Sequence, residues 1–265
     1  MKGYFDLRGE LSLRDKKILS IVGTFGMVAL WQLIVTITGV SSSIFPSPIQ
    51  VLMSFKELHF EDAIVKNAFY SLKLNLLGMF EAVAFALPLG FVIGLFPLFK
   101  HLTEKQIAVF RYLPLTLLIG VFISWFGFYD SLKVNFLAVG IFVYLLPTVV
   151  ARVNDVDEVY VQTVKTLGAN KWQTIKIVFL PAVLSKTFED VIVLAPISWT
   201  YIIIAEMQNN TGGLGALAYV AGRQSRADKA FAILIVIILI GMILDKIFSL
   251  LDMQLFKFKY VKKGD

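Results

Sequence analysis

Long apolar segments alternate with short polar ones along the whole chain. Six of the apolar segments are long enough for membrane-spanning helices, because about 20 apolar residues in a helix cross the hydrocarbon core of a bilayer. Their approximate ranges are 18–40, 72–99, 112–128, 134–150, 183–205 and 230–251. The pattern therefore predicts an all-α membrane protein with about six transmembrane helices in one domain.

The segments outside these predicted spans differ in character. Ser47 followed by Pro48 is typical of a helix start, with serine as the cap and proline in the first turn. The helix that follows, at about 48–58, is amphipathic and too short to cross a bilayer. Residues 206–229 are rich in Asn and Gly and predict an outer loop between the last two spans.

The polar stretch 155–181 has a pattern of its own. Apolar residues recur at three- and four-residue spacing up to Leu167, which predicts an amphipathic helix. Gly168 follows, at a place where a helix C-terminus favours positive φ. A second amphipathic run leads to Pro181, which closes that helix or kinks it into the next span. We call this stretch the elbow segment, and its shape suits docking into a groove of a partner protein better than binding a small molecule.

The distribution of basic residues predicts an orientation. Of the 25 Lys and Arg residues, 18 fall at the two termini and in the polar stretches on the same side of the membrane, and 7 fall on the other side. Basic residues collect on the cytoplasmic side of membrane proteins. We therefore expect a cytoplasmic segment 1–17, a permease domain 18–251 with a cytoplasmic elbow segment, and a basic cytoplasmic tail 252–265. The same bias explains the net charge of +6 without a nucleic-acid partner.

Composition narrows the chemistry that the chain can carry. With 57% hydrophobic and 17% charged residues, it does not have the composition of a soluble globular protein. It contains no cysteine and only two histidines, so neither a thiolate nucleophile nor a zinc site is expected. It also lacks the G-x-x-x-x-G-K-[ST] phosphate loop. We expect no cofactor in this chain, and any ATP and Mg²⁺ would be bound by a separate subunit.

The elbow segment resembles the EAA signature of ABC-importer permeases, which reads EAA-x3-G-x9-I-x-L-P. The matching positions are Gly168, Leu180 and Pro181, with Val178 in place of isoleucine and all spacings kept. The first three positions of the pattern differ and are Gln162, Thr163 and Val164. In the family this loop is the cytoplasmic coupling helix that fits a cleft of the ATPase subunit. The missing glutamate removes the expectation of one specific salt bridge, but it leaves the docking shape.

Other stretches resemble one branch of these permeases, the one for nitrate, sulfonates, taurine and bicarbonate. Residues 45–55, which begin Phe-Pro-Ser-Pro, are similar to the LPSP opening that follows the first helix in that branch. Residues 86–90 are similar to its second helix, and residues 212–215 are similar to its outer loop. The order and spacing of these pieces cover nearly all of the chain.

The resemblance implies the type I ABC importer permease fold in a multi-pass protein of the bacterial inner membrane. It also implies a homodimer of this permease, two ABC ATPase subunits, a substrate-binding protein and alternating access driven by ATP, within a lipid bilayer. The solute would be small. The basic residues Arg223, Arg226 and Lys229 on the outer side would attract an anion.

The resemblance and the residue pattern together give candidates for contact with the ATPase. They are Gln162, Thr163, Lys165, Leu167, Gly168, Ala169, Lys171, Trp172, Leu180 and Pro181. Gly168 and Ala169 are the strongest, because the close approach of a partner's surface needs small residues. A plain helix C-cap without a partner is the alternative for Gly168, and anchoring at the lipid interface is the alternative for Trp172.

Candidates for the translocation pathway are Glu81, Trp199, Thr200, Tyr201 and Glu206. Glu81 lies well inside the second span, where a carboxylate is costly unless paired or wet. It therefore lines the pathway, or it pairs with Lys73 or another helix. Residues 199–201 line a polar path or pack between helices. Glu206 at the outer mouth meets the solute or the binding protein, or it lies in a solvated loop.

Two other functional classes stay open at this point. An ATP-independent carrier or channel would work from this chain alone, and the lack of a visible internal repeat disfavours it. A membrane enzyme would need clustered catalytic side chains near one face, and the sequence shows no such set. Within the importer class, permeases for amino acids or thiamine precursors are alternatives to those for anions.

Overall fold

The computed structural model describes residues 9–110, 112–208 and 211–260, which form helices without a strand. The start of the predicted segment 1–17 and the end of the tail 252–265 lie outside these residues. The helices are α1 Leu13–Thr38, α2 Pro48–Phe60, α3 Ile64–Leu95, α4 Pro97–Phe110, α5 Ile119–Phe126, α6 Asp130–Asn154, α7 Glu158–Thr166, α8 Lys171–Thr174, α9 Leu180–Met207, α10 Leu214–Arg223 and α11 Ala227–Leu255. Short 3-10 turns at Leu115–Leu118 and Lys257–Lys259 and a π-helical turn at Ile175–Phe179 complete them.

Four of these helices are long and apolar enough to cross a membrane, namely α1, α3, α6 and α11. A fifth span is present if α4 and α5 are counted as one bent element. The predicted fifth helix exists as α9, whose 28 residues reach about 42 Å at 1.5 Å per residue. An all-α membrane fold is thereby confirmed.

The predicted third span at 112–128 is not one continuous helix. The chain there forms a 3-10 turn and the eight-residue α5, which meet α4 at an angle of 88°. Pro114 lies at the bend, with φ −72° and ψ 84°. Proline removes a backbone donor and disfavours helical geometry in the preceding residue, so α4 does not continue straight into α5.

The centre of the bundle is the contact between α3 and α6, which run parallel to each other. A Cβ added at Gly78 would lie 2.7 Å from Leu137, and one added at Gly90 would lie 2.5 Å from Val149. Small residues let helix backbones approach closely and gain van der Waals contact in a membrane. The second contact lies further toward the C-terminus than the first in both helices, so α3 and α6 run in the same direction. The chain therefore crosses back over the bundle between the end of α3 and the start of α6, through α4 and α5.

The predicted outer loop at 206–229 is also partly wrong, because α10 occupies its centre. Four residues of this helix, Leu214, Gly215, Ala216 and Ala221, are buried. Glycine and asparagine around it suggest a loop in the sequence. Its first turn is stabilised instead by side chains from distant helices, as described below.

In contrast to α10, α1 stands apart from the core and buries no residue of its own. Its main link is Trp31, whose indole N–H donates to the carbonyl of Pro46 over 3.0 Å. The indole ring also lies against Phe45 and Phe231, with centroids 6.1 and 5.7 Å away. The surface of α1 is thus almost entirely available to surroundings other than this chain.

Candidate functional site

The elbow segment lies at one end of the bundle, which we call the elbow end. Asp157 caps α7 by accepting the N–H of Val159 over 2.9 Å. The helix ends at Thr166 with Leu167 as its C-cap, and Gly168 follows with φ +85°. The N–H of Ala169 then reaches back to the carbonyl of Val164 over 3.0 Å, which closes the end of the helix. The expected glycine turn after an amphipathic helix is therefore present.

The second half of the elbow segment starts with a cap that the sequence interpretation missed. Asn170 accepts the N–H of Gln173 over 2.9 Å, and Gln173 accepts the N–H of Asn170 over 2.8 Å. This is a reciprocal capping box, and its signal, an Asn followed three residues later by a Gln, is visible in the sequence. The two caps on either side of Gly168 fix the direction in which the chain turns.

Pro181 neither ends this second helix nor breaks it. The turn before it is π-helical, and the N–H of Leu180 donates to the carbonyl of Ile175, five residues back. A widened turn keeps the proline ring away from the carbonyl of Ile177, which it would otherwise strike. The elbow segment therefore continues without interruption into α9.

The tip of the elbow exposes large apolar side chains. Leu167 is 82% exposed and Trp172 is 78% exposed. Of the predicted contact residues, Gln162, Thr163, Lys165, Leu167, Gly168, Lys171, Trp172 and Leu180 are exposed, and Ala169 and Pro181 are half-buried. Gln162 donates to the carboxylate of Glu158 over 2.6 Å, one helical turn earlier. The predicted contact residues are therefore mostly exposed, and their contact with a partner stays a prediction.

Ion pairs hold the helices together near the elbow end. Arg152 of α6 binds Asp190 of α9 with two hydrogen bonds of 2.8 Å. Lys259, beyond α11, reaches Asp252 and Glu189, each over 2.9 Å. Burial acts to lower the pKa of Lys259, but these two carboxylates outweigh it and raise the pKa above its usual value. These contacts connect α9, which continues the elbow, to α6 and α11.

A group of interacting polar side chains lies at the opposite end of the bundle. Its members, which we call the polar hub, are Asn67, Tyr70, Ser71, Asp130, Lys133, Glu206 and Thr211. Lys133 and Glu206 both have 0% of their surface exposed. The ammonium group of Lys133 donates to the hydroxyl of Tyr70 over 3.0 Å and to that of Thr211 over 2.8 Å. The Tyr70 hydroxyl in turn donates to Asp130.

The polar hub caps α10 from outside that helix. The N–H groups of Gly213, Leu214 and Gly215 donate to Asn67, Ser71 and Glu206, over 2.7, 2.8 and 2.8 Å. The hydroxyl of Ser71 also donates to Glu206 over 2.7 Å. The first N–H groups of a helix have no partner within it and need one elsewhere. The hub thus links α3, α6 and α9 to the start of α10.

Two glycines make this capping possible. Gly213 has φ +105°, and a Cβ there would lie 2.2 Å from the carboxyl carbon of Glu206. A Cβ at Gly215 would lie 2.5 Å from the carbonyl oxygen of Ile203. Any larger residue would push α10 away from the Glu206 carboxylate. The resemblance to the family's outer loop in the sequence falls on these residues.

The predicted pathway residues have different surroundings within one copy of the chain. Trp199 is buried, Thr200 is exposed, and Tyr201 packs half-buried against Gly140 and the ring of Phe136. Glu206 is fully enclosed by the hub rather than placed in a solvated loop. Glu81 is half-buried, and the described part of the chain gives it no ion pair with Lys73 or with another helix. Their role in transport stays a prediction.

Of the three basic residues expected to attract an anion, two are already paired. Arg226 contacts Glu57 over 2.7 Å and Asp228 over 2.9 Å, and Lys229 contacts Glu57 over 2.8 Å. Hydrogen bonds from Arg226 and Lys229 lower the pKa of Glu57 to about 2. Arg223 alone is exposed, with its guanidinium 5.9 Å from the ring centre of Tyr219. The positive charge available to an anion at the end of the bundle opposite the elbow is therefore smaller than predicted.

Comparison with known proteins shows which family and which transport proteins the chain is similar to. Residues 86–257 match the family described as binding-protein-dependent transport system inner membrane component. The chain is 25% identical over 238 residues to the putative aliphatic sulfonates transport permease protein SsuC of Bacillus subtilis, covering 90% of this chain and 86% of that one. It is 26% identical to the taurine transport system permease protein TauC of Escherichia coli, covering 87% and 86%.

Solved structures show the same fold at lower sequence identity. An inward-facing structure of the MetNI methionine ABC transporter superposes with a TM-score of 0.63 at 15% identity, covering 71% of this chain and 94% of that one. An amino acid ABC transporter solved with histidines superposes with a TM-score of 0.57 at 19% identity, covering 77% and 97%. The type I importer permease fold predicted from the sequence is confirmed.

Proposed function

Since the chain belongs to the family of binding-protein-dependent transport system inner membrane components, we propose that it forms the pathway by which an ABC importer moves a small anionic solute into a bacterial cell. A binding protein delivers the solute, and the chain works as a homodimer in the inner membrane. The solutes named for two relatives, aliphatic sulfonates and taurine, share a sulfonate group and support an anion. The chain itself is a transport subunit and not an enzyme.

The observation that carries this proposal is the exposed tip of the elbow. Leu167 and Trp172 leave most of their surface uncovered, and no element of the described chain packs on them. Large apolar side chains around a fixed turn are the kind of anchors that carry binding energy in protein interfaces. We propose that they, with Gly168 and the other candidate residues of the elbow, contact the ATPase subunit that holds ATP and Mg²⁺.

The distribution of basic residues supports the orientation that this docking requires. The elbow segment lies on the side that carries 18 of the 25 Lys and Arg residues, which is the cytoplasmic side by the positive-inside rule. The polar hub then lies at the outer face. Both termini are cytoplasmic in this arrangement.

Transport in this proposal depends on the continuous helix from α8 through α9. Binding of ATP closes the partner ATPase and moves the elbow, and α9 transmits that movement to the outer end because no break separates them. ATP binding favours one packed arrangement of the helices, and hydrolysis restores the other. Glu81, Thr200 and the rings of Trp199 and Tyr201 are the residues that we propose to lie along the path.

The experiment is copurification from the native membrane in mild detergent, with subunits identified by mass spectrometry. We expect an ABC ATPase in equal amount with the wild-type chain, and at least a tenfold loss with Gly168→Arg. Gly168→Ala introduces the same backbone strain without the bulk and should retain the ATPase. Gly222→Arg, at an exposed glycine with open space at the opposite end, is the matched control.

Two results would contradict the proposal. Normal solute uptake by Gly168→Arg would mean that the elbow does not dock. A folded wild-type chain that never recovers an ATPase would point instead to a carrier that works alone.

A further inference from the structure

Helix α2 has two apolar faces, and only one of them is covered. Val51 and Leu58 are buried on the face that packs against α11. Ile49, Leu52, Met53 and Phe60 lie on the other face, with exposed fractions from 55 to 76%. Their spacing of three, four and seven residues forms one stripe along the helix. Nothing in the described part of the chain covers this stripe.

The contacts of α2 show how deep in the membrane it lies beside the spans α1 and α11. At its start, the ring of Phe45 lies 5.8 Å from that of Phe231, in the second turn of α11, and 6.1 Å from that of Trp31. Trp31 lies seven residues before the end of α1, which is about 10 Å along a helix. The beginning of α2 therefore lies deeper in the membrane than the end of α1 and the start of α11.

The other end of α2 reaches the level at which α11 begins. Ser54 donates to the carbonyl of Asp228 over 3.3 Å, and Glu57 pairs with Arg226 and Lys229. Helix α2 thus runs antiparallel to the first turns of α11, with its apolar start inside and its charged end outside. Lys56 and His59 are exposed near that charged end.

We propose that Ile49, Leu52 and Met53 of this stripe contact the acyl chains of outer-leaflet phospholipids, with Lys56 at the level of their phosphate groups and Phe60 beyond it. The neighbouring α1 is a membrane span without a buried residue. A lysine at this level keeps its methylene groups on apolar surface and its ammonium group among the headgroups. The inference needs α1 and α11 to cross the bilayer in the orientation that the basic residues predict, and it does not depend on docking by the elbow.

This proposal can be tested with nitroxide labels because the chain contains no cysteine. Single-cysteine variants of Leu52, Met53 and Lys56 are labelled and placed in phospholipid nanodiscs together with the subunits that copurify. Power saturation then compares collisions with oxygen, which concentrates among acyl chains, and with a water-soluble nickel chelate. Val22 in the middle of α1 is the control for a lipid-facing site, and Gln224 after α10 is the control for water.

We expect labels at Leu52 and Met53 to collide several-fold more with oxygen than with the chelate, as at Val22. The label at Lys56 should fall between the two controls. Strong collision with the chelate at Leu52 and Met53 would overturn the proposal in favour of a water-facing surface open to a binding protein. Low collision with both reagents, together with dipolar broadening between labels, would overturn it in favour of contact with a second copy.

Discussion

The elbow segment and the polar hub lie at opposite ends of the same helices and differ in the exposure of their side chains. The elbow exposes Leu167 and Trp172, and local caps hold the backbone on both sides of its tip. The hub buries Lys133 and Glu206 completely, and three of its hydrogen bonds join residues more than 100 positions apart. The tip of the elbow has no covering in the described chain, and we propose that a partner covers it, whereas the hydrogen-bonding groups of the hub find their partners within the chain.

This difference in exposure predicts which substitutions affect the stability of the fold and which affect only the binding of a partner protein. Changes in the hub should lower stability, because they leave buried polar groups without partners. Changes at the tip of the elbow should leave stability unchanged, because they remove no contact within the chain. Three substitutions test that contrast, from the largest expected effect on stability to the smallest.

The largest effect is expected for Lys133→Met. Lys133 donates to the hydroxyls of Tyr70 and Thr211 and interacts electrostatically with the fully buried Glu206. Its removal leaves these groups without their cationic donor, at a cost of about 3–5 kcal/mol. Thermal unfolding in detergent should show this loss, while Lys105→Met, at an exposed lysine of α4, should change stability by less than about 0.5 kcal/mol.

A double substitution sharpens this first prediction. Glu206→Gln combined with Lys133→Met removes both charges, so part of the lost stability should return relative to the single variant. A cost below about 1 kcal/mol for Lys133→Met would show that the hub is not a structural unit.

A smaller loss is expected for Gly213→Ala. The left-handed backbone there costs a residue with a Cβ about 1–3 kcal/mol. The new Cβ also displaces the Glu206 carboxylate, which is the end of a side chain that can shift, so we expect a total loss of about 1–3 kcal/mol. Gly222→Ala is the matched control, because Gly222 lies within α10 with open space around it, and there alanine should be neutral or stabilising. Equal unfolding temperatures for the two variants would contradict the capping role of the hub.

The smallest effect on stability is expected for Trp172→Ala. Its exposed indole packs on nothing in the described chain, so unfolding should change by less than about 0.5 kcal/mol. ATPase recovery and solute uptake should nevertheless fall at least tenfold, because an anchor of the interface is lost. Trp125→Ala, at another exposed tryptophan outside the elbow, should retain both activities. If the two variants lost uptake equally, the special role of the elbow would be refuted.

Several elements could be predicted from the sequence because local chemistry decides them. Ser47 and Pro48 start α2 as expected, and the capping box with Gln50 forms within three residues. The turn at Gly168 follows from the end of an apolar repeat and from the freedom of glycine at positive φ. The predicted spans lie within a few residues of α1, α6, α9 and α11, since hydrophobic length needs no tertiary information.

The errors fall where the decisive interactions are not local. Glycine and asparagine before α10 suggested a loop, since no nearby residue caps that helix. The bend at Pro114 was missed because a proline is compatible with a span when neighbouring helices satisfy the freed carbonyls. The sequence predicts available charges on Arg226 and Lys229, because their partner Glu57 is about 170 positions away along the chain.

The sequence by itself therefore determined the membrane class, the sites of most helices and the shape of the elbow, since hydrophobic periodicity and caps act over a few residues. Only the tertiary structure decided that Ser71 meets Glu206 and Lys133 meets Thr211, and that Ser71 and Glu206 hold the start of α10. The physical reason is that a buried polar group needs a partner in space, and the sequence does not state which distant residue will supply it.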